Sequence, residues 1–411
     1  MRDKDLYAQI LGITPPWFVQ AVELELHQGE VTVKLDFDSS QPLTCPICGK
    51  VVPGYDTRLR RWRHLDTCQY RTVIEANMPR IECKEHGVLQ IKVPWAEAGS
   101  RFTALFEALA IDWMKESSLS GVCRLMGLSW DEAAGIQERA VQRGLVRRQL
   151  APPKRIGIDE TSFQKRHEYV TVVSNQGGEV IHVADDRSRE SLEGFYRTLS
   201  EEALAGIEAA NMDMWPPYIS ATLAHVPEAA KKIAFDKFHV AKHLGDAVND
   251  VRKREHKELL EIGCLDLKGT RRLWLSNPET MNAHAWADLK ALRKRTLKTA
   301  AAWAIKELAM TLWHYRSRSW ARRAWRRCIA WAKETGLAPV LRVARMLEEH
   351  LEGIVNAVVL RATNARAEGI NSRIQWIKKM ACGYRNRQRF RMAIYFHLGG
   401  LDLYPEAAGQ S

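Results

Sequence analysis

Residues Arg155–Glu160 read RIGIDE, Glu168–Ser174 read EYVTVVS and Glu179–Asp185 read EVIHVAD. Each run is short and rich in β-branched residues, and the second connection is Asn175-Gln176-Gly177-Gly178. Such runs joined by polar, Gly-containing turns predict a three-stranded antiparallel meander. Downstream, SLEGFYRTLS (191–200) predicts a helix and IEAANMD (207–213) a fourth strand. YISATLAHV (218–226) predicts another helix and KKIAFD (231–236) a fifth strand. In the first strand Ile156 and Ile158 point to one face, while Gly157 and Asp159 point to the other. Gly157 leaves that face open beside the carboxylate. Glu160 falls on the isoleucine face and is read as structural.

Three strands, a helix, a strand, a helix and a strand, in that order, is the topology of an RNase H-like fold. The chemistry has to come from particular residues. Asp159 is either a site acid or a cap at a strand end. Asp213 closes the fourth strand in NMDMWPPY (211–218), so it faces the rim of the sheet or forms a turn. Glu368 stands in RATNARAEGINSRIQWIKK (361–379). On a helix, Arg361, Asn364, Glu368, Asn371, Ser372 and Gln375 share one side, and Ile370, Ile374 and Ile377 lie nearly opposite. A surface ion pair with Arg361 or Arg366 would be worth under about 1 kcal/mol. A metal role explains more. Three carboxylates in a basic protein repel one another unless a cation joins them, and their hard oxygens suit Mg2+ or Mn2+. Two such ions about 4 Å apart would clamp a phosphodiester for in-line attack. Arg361, Lys378 and Lys379 would then hold the DNA backbone, as would Arg385 in the basic stretch GYRNRQRFRMAIYF (383–396). DKFH supplies Asp236 and His239 after the fifth strand. Asp236 is the chief rival for the third acid. His239 either orients a scissile phosphate or is a satisfied histidine at a helix start.

The first ninety residues differ in character. VELELHQGEVTVKLDF (22–37) reads as two strands around His27-Gln28-Gly29. CPICG (45–49) and CKEHG (83–87) each place two ligands on a tight turn that ends in glycine. Cys45, Cys48, Cys83 and His86 therefore make a tetrahedral Cys3His zinc site. Cys68 is left over and read as a packing residue. Between the two turns, RLRRWRHLD (58–66) sets Arg58, Arg60, Arg61 and Arg63 around Trp62, either as a phosphate-contacting strand or as a solvated charged face. SLSGVCRLMGLSWDEAAGIQERAVQRG (118–144) predicts a helix-turn-helix. Leu119, Val122 and Leu125 form its apolar face, Gly127 its turn, and Ser129 with Glu132 a capping box. APPKR (151–155) is a boundary. Phe238–Val355 is helical throughout and carries Trp274, Trp286, Trp303, Trp313, Trp320, Trp325 and Trp331, read mainly as helix packing.

The chain has 411 residues, a net charge of +12 and a pI near 9.3. That balance points to an anionic partner, nucleic acid first. No signal peptide and no membrane span is read. Cys123, Cys264, Cys328 and Cys382 are scattered singly and read as buried thiols in a reducing cytoplasm.

Over nearly its full length the chain resembles the DDE transposases of bacterial insertion sequences, specifically the ISL-three family. The residues that carry the resemblance are CPICG with CKEHG, RLRRWRHLD, the helix-turn-helix segment, GIDE, NMDMWPPY, FDKFHVAKHL and TNARAEGINSRIQWIKKMACGYRN. His86 departs from the family, whose second turn is usually Cys-x2-Cys. The resemblance implies that Asp159, Asp213 and Glu368 are the catalytic acids, holding two Mg2+ or Mn2+ ions, with structural Zn2+ on the N-terminal site. It implies an α+β multidomain protein: a zinc-binding domain (1–95), a helix-turn-helix domain (96–150) and an RNase H-like core (151–240 and 358–411). An all-helical insertion (241–357) interrupts that core. The implied partners are the double-stranded DNA of terminal inverted repeats and target sites, on the nucleoid, and a second copy of the chain on paired ends. The competing readings are a non-catalytic DNA-binding regulator and a structure-specific nuclease.

Overall fold

The computed structural model describes residues 2–149, 151–164, 168–295, 297–362 and 365–406, with the side chains of 365–368 outside that description. The chain divides into two compact units, one of Met1–Gln149, Met380–Cys382 and Tyr395–Ser411, the other of Leu150–Lys379 and Gly383–Ile394.

The first unit opens with helix α1 (Asp3–Ile10) and strands β1 (Trp17–Glu25), β2 (Glu30–Phe37), β3 (Gly54–Arg63), β4 (Arg71–Cys83) and β5 (Gly87–Gln90). The strands form one sheet in the order β1-β2-β4-β3, with β5 beside β4. The hairpin expected around His27-Gln28-Gly29 is present, and Gly29 takes the left-handed conformation (φ 65°) that the turn needs. Trp17, Trp62 and Trp95 meet edge to face at its core. Helices α2 (Ala104–Glu116), α3 (Leu119–Met126) and α4 (Trp130–Arg147) follow. Gly127 ends α3 in the left-handed region, and Ser129 with Glu132 closes the capping box that starts α4. The apolar face of α3 differs from the expectation. Val122 and Met126 are buried, whereas Leu125 is 62% exposed. An i, i+4 pair faces the neighbouring helices, and Leu125 is rotated out of it.

The second unit holds strands β6 (Arg155–Gln164), β7 (Glu168–Asn175) and β8 (Val180–Asp185), then helices α5 (Arg189–Tyr196) and α6 (Glu201–Ala205). Strand β9 (Ala209–Met212), helices α7 (Pro216–His225) and α8 (Ala229–Lys232) and strand β10 (Ile233–Phe235) complete the sheet. Its order is β10-β9-β6-β7-β8. β6, β7 and β8 run antiparallel as a meander, while β9 and β10 run parallel to β6. The order of elements read from the sequence stands, with two extra short helices. The fourth strand is shorter than read, so Asp213 lies just past its end.

Helices α9 (Lys237–Glu261), α10 (Arg271–Leu275), α11 (Ala283–Arg293), α12 (Lys298–Thr311), α13 (Arg318–Glu334), α14 (Ala338–Glu349) and α15 (Leu351–Leu360) come next. Their buried side chains share one continuous core with the sheet, from Ile156 to Val358. Trp274, Trp303 and Trp325 are buried in it, as the main packing role read for these rings expects, whereas Trp320 and Trp331 are exposed. Helices α16 (Ala365–Met380) and α17 (Arg387–Leu398) end the chain. Of the four single cysteines only Cys328 is buried. Cys123, on α3, and Cys264, in the connection after α9, are partly covered, and Cys382 is exposed in the turn after Met380.

Helix α15 carries the sheet edge. Asn356 is fully buried and donates to the carbonyls of Ala230 (2.9 Å) and Ile233 (2.7 Å). One turn earlier, Gly353 lies against the Phe235 ring, where a methyl group would collide with it. Gly353→Ala is expected to destabilise the protein by about 1–3 kcal/mol despite the better helix propensity of alanine. A lowered urea midpoint would register that loss.

Candidate functional site

In the first unit, two tight turns aim their side chains at one point. Gly49 and Gly87 both take φ +71°, which leaves room for the chain to fold back beneath the sulfurs. Gly49 N donates to Cys45 O (2.9 Å), and Cys83 pairs with Gly87 across the β4–β5 hairpin. The ligand atoms of Cys45, Cys48, Cys83 and His86 all lie within 4.8 Å of one another. Cys48 Sγ and Cys83 Sγ are 3.9 Å apart, and His86 Nδ1 is 3.5 Å from Cys83 Sγ and 3.7 Å from Cys45 Sγ. A disulfide needs about 2 Å, while the edge of a tetrahedron with metal–sulfur bonds of about 2.3 Å is roughly 3.8 Å. The backbone N–H of Glu85, then His86, stabilises the Cys83 thiolate and brings its pKa down to about 6. The donor set, the spacing and the thiolate character fit Zn2+. Cys68 is exposed in a left-handed turn and packs nothing, so its reading as a packing residue does not hold.

In the second unit, the strand registers line up three acids. Gly157 of β6 pairs with Asn211 of β9, and Ala234 of β10 pairs with the same Asn211. Two residues further on stand three aspartates: Asp159 within β6, Asp213 just past β9 and Asp236 just past β10. Neighbouring parallel strands lie about 4.8 Å apart, so the three backbones share one level at one rim. Burial pushes the Asp159 carboxyl up to about 7, with the charges of Glu160, Asp213 and Asp236 adding to it. Burial also raises Asp213, opposed by His239 and Arg187. Asp236 caps α9 by accepting from Phe238 N (3.1 Å). It is 5% exposed, and its second oxygen is buried without a partner.

Glu160 was expected on the structural face, but it belongs to this cluster. Burial and the Asp213 charge push it up to about 7, Arg187 lies 3.7 Å away, and its Oε2 is buried without a partner. Arg187 itself sits 4.4 Å from both the Tyr169 and Trp215 rings. Two amide oxygens, of Asn211 and Asn371, are also buried and unpartnered. Oxygens that lack proton donors beside raised carboxyls are suited to a hard cation. Asp159, Asp213 and Asp236 do not converge as tightly as the Cys/His set, which is the group within 4.8 Å among the described residues.

Helix α16 runs along β6. Asn371 Nδ2 donates to Asp159 Oδ2 (2.6 Å), Gln375 Nε2 to Thr161 Oγ1 (3.0 Å) and Lys378 Nζ to Ser162 O (2.5 Å). Ile370, Ile374 and Ile377 are buried, as their spacing predicts. Glu368 belongs to the same helix, three residues before Asn371, and its side chain lies outside the described residues. Asn364 also lies outside them. His239 is partly exposed on the first turn of α9, and its charge acts on Asp213. Arg187 and Asn371 were not assigned roles from sequence. Arg187 stands in a loop with no motif, whereas Asn371 was visible on the polar stripe of Glu368.

Residues 156–394 match the sequence model of a family described as a transposase of the ISL3 group. The chain belongs to the ISL3 transposase family. Residues 91–141 match the helix-turn-helix domain of the same family, and residues 41–86 match the zinc finger of the IS204/IS1001/IS1096/IS1165 transposases. The transposase for insertion sequence element IS1001 of Bordetella parapertussis is 26% identical over 362 residues, 87% of this chain and 89% of that one. The transposase for insertion sequence element IS1557 of Mycobacterium tuberculosis is 25% identical over 422 residues, 94% of each chain. The matches support DNA binding and a structural zinc in this transposase. Among the described residues, no helix is long and apolar enough to cross a membrane.

Several bases expected to meet DNA have partners inside the transposase instead. Arg63 is nearly buried, pairs with Asp66 and donates to Thr72 O (3.2 Å). Arg61 pairs with Glu30 and Glu75, and Arg60 donates to Gln90 (3.0 Å) and lies over Trp62. Lys378 is taken up by Ser162. Arg361 is not on the α16 face, because it caps α15 in the left-handed region (φ 48°). Arg58, Lys379 and Arg385 are exposed.

Atomic emission on purified protein is expected to find one zinc per chain. Cys45→Ser should lose it and His86→Cys should keep it, because a fourth thiolate replaces the imidazole. Chelation should lower the melting temperature of the wild type but not of Cys45→Ser.

Proposed function

We propose that the chain is a DDE transposase that binds the terminal inverted repeats of its insertion sequence and catalyses strand cleavage and strand transfer. The observation that carries this reading is that Asp159 and Asp213 each lie two residues beyond the paired Gly157 and Asn211 of adjacent parallel strands, with α16 tied to Asp159 through Asn371. In this reading residues 151–240 and 358–411 form an RNase H-like core interrupted by an all-helical insertion over 241–357, with 380–382 and 395–411 grouping with the first unit. Residues 1–95 form the zinc-binding domain and 96–150 the helix-turn-helix domain.

Asp159, Asp213 and Glu368 would hold two Mg2+ or Mn2+ ions, with helical i, i+3 spacing bringing Glu368 to the side of Asn371. When bound, such ions activate the attacking water or 3'-hydroxyl and stabilise the leaving oxygen. Asn371 orients the Asp159 carboxylate. His239, beside Asp213, orients the scissile phosphate, and Arg187 balances charge at Glu160. The register gives Asp236 a place beside these acids, and its unpartnered oxygen supports a supporting role there. Arg58, Lys379 and Arg385 remain available to the DNA backbone. Joining two ends implies at least a dimer. The alternative reading is a regulator that binds the same ends without cutting them.

Asp159→Asn, Asp213→Asn and Glu368→Gln should each lower Mg2+-dependent cleavage of end-containing DNA by at least about 10³-fold, since metal ligation contributes several kcal/mol. End binding should persist. Cleavage by all three at the normal rate would favour neither metal role nor transposition, and a wild type that binds ends without nicking them would favour the regulator.

Stability gives an independent readout. The folded-state Asp159 titrates near 7, above its ordinary value of 3.8. Between those values the folded chain keeps a proton that the unfolded chain has released, so its contribution to stability falls as pH rises. In chelator, Asp159→Asn should therefore flatten the fall in melting temperature between about pH 4 and pH 7.

A further inference from the structure

The sequence of α13, RSWARRAWRRCIAWAKE, contains a single acid, Glu334, at its last position. Its inner face is apolar and buried: Ala321, Trp325, Cys328, Ile329 and Ala332. The bases divide by position. Those near the inner edge have partners: Arg322 binds Glu352 through two bonds (2.8 and 2.6 Å), Arg318 donates to Asn356 (2.7 Å) and Lys333 pairs with Glu348 (2.6 Å). Arg323, Arg326 and Arg327 are exposed and make no ion pair among the described residues. Helical spacing sets Trp320, Arg323, Arg327 and Trp331 in one outward stripe. Trp320 is 59% exposed and Trp331 is 39% exposed. The Arg323 guanidinium lies 5.0 Å over the Trp320 ring, which holds it extended over the surface.

We propose that this outward stripe of α13 is a DNA-backbone contact surface, in addition to the zinc finger and the helix-turn-helix. The proposal rests on the reading of the chain as a DNA-handling transposase. Unpaired guanidiniums crowded on one face repel one another, and a polyanion relieves that cost. The planar fork of arginine matches phosphate oxygens, and exposed indoles pack on sugars and stack with guanidinium planes. A membrane surface is a poor occupant, because an interfacial helix inserts its apolar face and that of α13 is buried in the core.

The test uses full-length protein in chelator, with an end-containing duplex and an unrelated duplex. Arg323→Gln/Arg327→Gln should reduce the slope of log affinity against log salt by about 2, roughly 0.9 for each phosphate that is no longer neutralised. Affinity should fall equally for both duplexes, since phosphates carry no sequence. Arg318→Gln/Arg322→Gln removes the same charge from the paired edge and should leave the slope unchanged. An unchanged slope in the first variant, or an equal drop in both, would overturn the surface. Loss of binding to poly-glutamate with DNA binding intact would also overturn it, in favour of an acidic protein partner. A wild type that binds neither duplex would overturn the DNA reading itself.

Discussion

The parallel pairing of β6 with β9, and of β9 with β10, is the constraint on which the second unit depends. It sets Asp159, within β6, at the level where β9 and β10 end, and each of those two strands is followed directly by an aspartate. The cost is visible in the raised carboxyls of Asp159 and Glu160 and in the buried oxygens that no donor satisfies. Apolar packing offsets that cost. Ile156, Ile158, Met212 and Phe235 are buried on the same strands, and Tyr218, from α7, is buried in the same core. Unsatisfied charge is therefore held in place by a well-packed sheet, which is the arrangement expected where a site is organised before its ligand arrives.

Arginine is used in two ways along the chain. In the first unit, Arg139 and Arg143 pair with the buried Glu107, and Arg143 also pairs with Glu97. Arg147 reaches Asp402. These bases occupy i, i+4 positions on α4 and hold the helix to its neighbours, so the sequence of α4 is more basic than its free surface. On α13 the opposite holds, since its outer bases Arg323, Arg326 and Arg327 form no ion pair among the described residues. Net charge is thus a poor map of where a polyanion would sit. The partner of each base decides it.

Much of the site was legible where a short-range rule applied. Alternation in RIGIDE placed Asp159 opposite Ile156 and Ile158. The glycines after each knuckle predicted turns that need positive φ, and both have it. The Ser129–Glu132 spacing predicted a capping box that is present. The failures have one common cause. Glu160, Arg60, Arg61 and Lys378 were assigned from local pattern, but each is engaged by a neighbour distant in sequence. Asp213 and Arg187 recruit Glu160, Glu30 and Glu75 engage Arg61, and Ser162 takes Lys378. The burial of Cys123, Cys264 and Cys382 was read from their scattered placement in helical-looking segments, but Cys264 and Cys382 lie in connections outside the helices and Cys123 is only partly covered.

Sequence alone determined the order of strands and helices, the two zinc-binding turns and the candidate acids, because propensity, periodicity and turn chemistry act over a few residues. Tertiary structure decided which of those residues meet. The strand register raised Asp236 to the level of Asp159 and Asp213, and the contact between α16 and β6 gave Asn371 its partner. Side-chain pairing sorted the arginines into structural and free. These outcomes depend on Coulomb and hydrogen-bond contacts between segments tens to hundreds of residues apart, and no local pattern encodes such a distance.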